Sequence, residues 1–378
     1  MKNKNLFLTS LIYFITMVLF VGLRIASSLG AFNGLNADIA NIVFSLLIQV
    51  VVMFFVPLVL IKVVFKKGLK QTFADLGFQK ISARTFLIVI IIGVLAFFLN
   101  LVVSTVFNGL LGFFGYNPTG GSGSTYETFL QFLKGILLVA VLPGIFEEFL
   151  HRGVLLKGYS KEVGFRRAIV YSSILFGLMH LNVGQVFYAI IMGGLIAITA
   201  IVSNSIYPAM IVHFINNAIN VYLVYAIQNN LFGANFYSNI NSFLQSNNPL
   251  LTFLSSFLFL GIIIVVLVIL FFQLFKESTV NKLQTIKLKV EKGLDKEIFY
   301  GEEKTLEASE IAAVNTVLVE KLKPLLPDFS NIQSPVDVLV PKSESDKYTP
   351  TVLENLFYYA SICLGVIITI FTFIWGVV

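Results

Sequence analysis

Charge is scarce in this chain. Of 378 residues only 12% are Asp, Glu, Lys or Arg, while 57% are hydrophobic. An ordinary soluble domain carries about 25% charge, so the composition excludes a soluble globular protein. Cysteine is almost absent: the one residue, Cys363, allows no intrachain disulfide. Histidine occurs three times, at His151, His180 and His213. No His-Glu-x-x-His string is present, so the helical zinc-protease signature is missing. No internal repeat is visible, unlike many transporters. The net charge of +6 is not a nucleic-acid signal. Residues 276–350 hold 11 basic and 13 acidic residues, leaving 15 basic and 7 acidic elsewhere, an excess of +8 that lies in short loops between apolar runs.

What the chain has is long apolar runs. A spanning helix needs roughly 20 apolar residues. The runs predict spans at 6–28, 41–64, 86–114, 128–155, 168–181, 185–203, 206–227, 250–275 and 354–377. The fifth is short, so the expected fold is an all-α, polytopic integral-membrane bundle of eight or nine helices. Lys2 and Lys4 precede an apolar stretch longer than a signal-peptide core, which reads as an uncleaved first span. Pro143-Gly144 in the fourth run is an expected kink.

Basic residues collect on alternate loops. Lys62, Lys66, Lys67, Lys70, Lys80 and Arg84 lie in one, and Lys157, Lys161, Arg166 and Arg167 in another, whereas 29–40, 115–127 and 228–249 carry none. The positive-inside rule then predicts a cytosolic N-terminus in a multi-pass cell-membrane protein, with 276–350 also cytosolic. That segment begins with a basic stretch suited to anionic headgroups. Its residues 305–323 predict an amphipathic helix, stopped by Pro324 and Pro327. The expected organisation is three N-terminal spans in 1–127, a core of four in 128–227, an outer loop and span in 228–275, a cytosolic segment in 276–350 and a final span in 351–378.

Ionisable groups inside spans are costly and usually functional. Glu147 and Glu148 lie in the run 128–155, in Pro143-Gly-Ile-Phe-Glu-Glu-Phe-Leu-His-Arg152. Residues four apart share a helix face, which groups Glu147 with His151 and Glu148 with Arg152. Adjacent residues are about 100° apart on a helix, so the two glutamates divide: one faces a cavity, and Glu148 pairs with Arg152. His151 reads as a group supporting the site or lying at the interface. Phe176 and His180 share a face, as do His213 and Asn217. A histidine and an amide on one stripe can both donate to a developing oxyanion. By helical rise, Glu147, His180 and His213 lie roughly 15, 20 and 12 Å from the basic end, a similar depth on three spans.

Together these strings resemble the CAAX-protease and bacteriocin-processing (CPBP, or Abi) family of intramembrane endopeptidases. Glu147, Glu148 and Arg152 match its Glu-Glu-x-x-x-Arg motif, Phe176 and His180 its Phe-x-x-x-His motif, and His213 and Asn217 its third. Asp75-Leu-Gly-Phe78 resembles a common upstream element. The resemblance implies that Glu147, assisted by His180, activates a water for attack on a peptide carbonyl, that His213 and Asn217 stabilise the oxyanion, and that Glu148 and Arg152 support the site. It leaves a metal open, because Glu147, His180 and His213 could also form a three-ligand zinc site with an open position. His151 departs from the pattern, where many members carry an aromatic.

The expected function is therefore a CAAX prenyl protease-like membrane endopeptidase, cleaving a peptide or membrane-associated protein from a cavity open to the cytosol. Its expected partners are that substrate, the lipid bilayer and a protein bound through 276–350, with no nucleic acid. The alternative is a non-catalytic immunity or scaffold protein on the same fold.

Overall fold

The computed structural model describes residues 4–116, 125–244, 249–291 and 348–377. Among these, every regular element is helical: α1 (Lys4–Ser28), α2 (Ala37–Phe65), α3 (Leu69–Asp75), α4 (Ala83–Phe113), α5 (Phe129–Val163), α6 (Phe165–Leu178), α7 (Val183–Val202), α8 (Ile206–Gln228), α9 (Ala234–Leu244), α10 (Pro249–Glu291) and α11 (Leu356–Val377). Eight of them are long and apolar enough to cross a membrane. The chain is a polytopic helical membrane bundle.

The ninth candidate, α6, has 14 residues. At 1.5 Å per residue it spans about 21 Å, short of a 30 Å hydrocarbon core. The predicted helix through His180 stops instead at Leu178. The chain then turns through Leu181, whose φ of 53° is left-handed. A side chain there costs roughly 1–2 kcal/mol, so the packing around His180 holds a strained turn in place. Helix α10 runs 16 residues past its predicted end at 275, carrying the start of the basic stretch. The predicted helix over 305–323 lies outside the described residues.

Several helix starts are written locally. Asn36 accepts from the amide of Asp38, Ser82 from Thr85 and Ser205 from Tyr207. Thr128 and Gln131 close a capping box at α5.

Two rods contain π-helical turns. In α2 these cover Leu47–Phe55, just before Pro57. In α5 they cover Ile136–Val141, just before Pro143, and again Phe149–Leu156. Proline has no N–H for the carbonyl four residues back, and its ring crowds that carbonyl. A widened turn ahead of the ring relieves both problems without ending the helix. Gly144 serves a different contact: a Cβ there would lie 3.2 Å from the backbone nitrogen of Phe214. This close crossing of α5 and α8 brings Glu148 to His213.

Helix α4 runs through the core, packed against α7, α8 and α10, while α6 and α7 form an antiparallel hairpin. Contacts between helix ends define two faces. At one, Lys134 near the start of α5 pairs with Asp38 at the start of α2, and Gln228 at the end of α8 accepts from the amide of Tyr126, three residues before α5. At the other, Asn5 reaches Glu162 and Ser205 donates to the carbonyl of Gln79. This second face carries the two lysine- and arginine-rich loops.

Candidate active site

The adjacent glutamates have different surroundings. Glu148 is fully buried, and its Oε1 accepts from Arg152 Nη1 at 2.9 Å and from His213 Nδ1 at 2.7 Å. Arg152, 1% exposed, also donates through Nη2 to the Gly193 carbonyl at 2.9 Å, and its guanidinium lies 4.4 Å from the centre of the Phe176 ring. A bare buried ion would cost several kcal/mol; here each charge has an opposite partner and hydrogen bonds. Gly193 makes room for this, because a Cβ on it would sit 3.1 Å from the Phe176 ring.

Glu147 is half-buried and accepts at Oε1 from Gln49 Nε2 at 2.8 Å. It lines a cavity of about 250 Å³ together with Gln49, Met179, His180, Gln185 and Arg24. His180 donates from Nδ1 to the Phe176 carbonyl at 2.9 Å. A carbonyl only accepts, so that bond assigns the Nδ1–H tautomer and leaves the Nε2 lone pair for the cavity.

Phe176 is the hub of the set. The rings of His151, His180 and His213 stand edge-on to it, at centroid distances of 5.0, 5.2 and 5.7 Å. The three imidazoles, scattered over 62 positions of sequence, thus surround one aromatic ring.

His151 does not meet the Glu147 carboxylate, as shared helical phase alone would suggest. Its Nδ1 donates to the Glu147 main-chain carbonyl at 2.8 Å, and Tyr13 donates to its Nε2 at 3.1 Å. It is buried, not interfacial. The ring lies along the backbone, in the same contact with the carbonyl four residues back that His180 makes to Phe176. Asn217 is also bonded away from the cavity lining. Its Nδ2 donates to the carbonyl of Val139, the neighbour of the cavity-lining Leu138, and its Oδ1 accepts from Asn216.

Two site residues escaped sequence reasoning. Gln49 lies in Leu47-Ile-Gln-Val-Val-Val-Met-Phe-Phe55, and a lone amide in such a run was the available signal. Tyr13 carries no such mark, since aromatic residues are ordinary in spans.

The cavity is not at the face expected for it. Arg24 lies near the end of α1, Phe44 to Gln49 in the first half of α2, Leu138 early in α5 and Gln185 at the start of α7. All belong to the face opposite the basic loops. The sequence expectation placed the cavity at the basic end; alternating helices bring these residues together at the base-poor end instead. Among the described residues, no group of three or more His, Cys, Asp or Glu is arranged to hold a metal ion. Glu147, His180 and His213, the three residues named for a zinc site, do not form such a group, and no step below runs through a metal.

Residues 129–219 match the family model described as type II CAAX prenyl endopeptidase Rce1-like. The matched segment runs from the start of α5 into α8 and contains Glu147, Glu148, Arg152, Phe176, His180, His213 and Asn217. The resemblance seen in the motifs is thus borne out over about a quarter of the chain, and this segment has the character of a CAAX protease-like endopeptidase. No curated protein and no solved structure matches the chain.

Proposed function

We propose that the protein is an intramembrane endopeptidase with a glutamate-activated water. The observation that carries this is the pairing of Glu147 and His180 on one cavity, with the His180 proton held at Nδ1. In this mechanism a water sits between the Glu147 carboxylate and His180 Nε2. Glu147 takes a proton as the oxygen attacks the peptide carbonyl carbon. The tetrahedral oxyanion is met by His213, which in its protonated form donates from Nε2 while Glu148 holds Nδ1. Asn217 supplies a second donor on releasing Val139. Glu147 then passes its proton to the departing amine, and the C–N bond breaks.

The substrate is a peptide or a membrane-associated protein. The basic face is cytosolic, with the N-terminus there, in a cell-membrane protein. The core comprises 128–227, and 276–350 recruits a protein partner.

The alternative, a non-catalytic scaffold or immunity protein, draws on the bonding of His213 and Asn217 into helix contacts. Comparing peptide termini by quantitative proteomics, in cells with matched amounts of wild type and Glu147→Ala, separates the two. New termini that require Glu147 establish the peptidase and identify its substrate. A phenotype that survives the substitution, with no change in termini, establishes the scaffold.

A further inference from the structure

Arg24 is the one charged residue between Leu6 and Ser28 in α1. It lies one turn beyond Phe20, and both line the cavity that holds Glu147 and His180. Its side chain is exposed, and among the described residues the guanidinium has no hydrogen-bond or ion-pair partner. The other base at this face, Lys134, is satisfied by Asp38 at 3.2 Å. The available acid in the cavity, Glu147, is instead held by Gln49. The arrangement leaves a strong cation without an anion beside the groups proposed to cut a peptide.

A guanidinium offers a planar fork of donors that fits a carboxylate with two parallel hydrogen bonds. The cavity, about 250 Å³, is at the small end of ligand sites and admits a short stretch of chain, not a folded domain.

We propose that Arg24 is a specificity residue that receives a carboxylate of the substrate polypeptide at the base-poor mouth of the cavity, and so sets the distance from that anion to the bond cut at Glu147. The carboxylate is either the substrate's C-terminus or an Asp or Glu side chain. This rests on the peptidase reading above.

The test uses the purified full chain in lipid nanodiscs and one randomised peptide library made in three forms: with a free C-terminal carboxylate, with a C-terminal amide and no acidic residue, and with a C-terminal amide and one internal Asp. Cleavage is followed by mass spectrometry, and binding of the same peptides by equilibrium titration. Wild type should favour the first or third form over the second by at least tenfold in kcat/KM. The form that is favoured identifies the source of the carboxylate. Arg24→Gln should erase the preference mainly through KM and weaken binding of the favoured form about tenfold, and Arg24→Lys should restore part of it. Equal handling of all three forms by wild type overturns the proposal. So does an Arg24→Gln effect equal on every form, which would mark Arg24 as a headgroup anchor. Glu147→Gln is the separate control. If it cuts as wild type does, the peptidase reading fails, while the binding titration still decides the role of Arg24.

Discussion

His213 and Glu148, 65 positions apart, are joined by a 2.7 Å hydrogen bond from Nδ1 to a carboxylate with no exposure to solvent. That bond orients the imidazole, and the Arg152 guanidinium, bonded to the same oxygen, balances the carboxylate charge. Glu147, the next residue toward the N-terminus, has one amide partner and an open cavity. Neighbouring residues of one type thus hold separate positions, one in the frame and one on the cavity.

Substituting each glutamate should separate those positions. Glu147→Gln should reduce cleavage by at least about a hundredfold, as loss of a general base does, and leave the folded yield unchanged. Glu148→Gln should leave Arg152 without its anion and destabilise the bundle by about 3–5 kcal/mol. Thermal unfolding in detergent beside a cleavage assay reads both. Equal loss of folding in the two variants would make Glu147 structural as well.

Gln49→Leu should slow turnover roughly tenfold, because a hydrogen bond to a charged group is worth about 1.5–3 kcal/mol. The folded amount should hold, since Leu suits the surrounding apolar run. A turnover equal to wild type would remove Gln49 from the positioning of Glu147.

Asn217→Ala should lower kcat with little change in KM, the pattern of a group used in the transition state. A fall in thermal stability without a kcat effect would show that the Val139 contact is its whole role.

The glycines of the α6–α7 hairpin should differ in tolerance. A Cβ on Gly177 would lie 2.7 Å from the Val186 carbonyl oxygen, whereas one on Gly194 would meet only Ser173 Oγ at 3.5 Å. Gly177→Ala should therefore cost folded yield and Gly194→Ala should not, measured by size-exclusion recovery after extraction.

Outside the spans, Asp75 offers a pH test. Burial pushes its carboxyl up, but hydrogen bonds from Lys67 at 2.6 Å and Gln71 at 2.8 Å outweigh that and hold it below its ordinary value. A carboxyl depressed on folding contributes stability above its unfolded pKa and loses it as pH falls through the folded value. Wild type should melt higher than Asp75→Asn at neutral pH, and the gap should close below about pH 4. A gap independent of pH would show that the pair does not contribute.

Much of this molecule was set within a few residues of sequence. Apolar runs long enough to span a bilayer, caps such as Asn36 and Thr128, and the Glu148–Arg152 pair follow from local length and from a helical repeat that brings residues four apart together. The order of the three motifs likewise marked the segment that matches the peptidase family. Tertiary packing decided the rest. Helical phase separates Glu147 from Glu148 but does not say which one meets His213, because the partner lies on another helix whose approach is controlled by Gly144. The partnership of Gln49 with Glu147 spans 98 positions, and that of Tyr13 with His151 spans 138. Neither has a local signature. The face on which the cavity lies was decided in the same way: it depends on which helix ends are left apart when eight apolar rods pack, a property of the assembled bundle and of no single run.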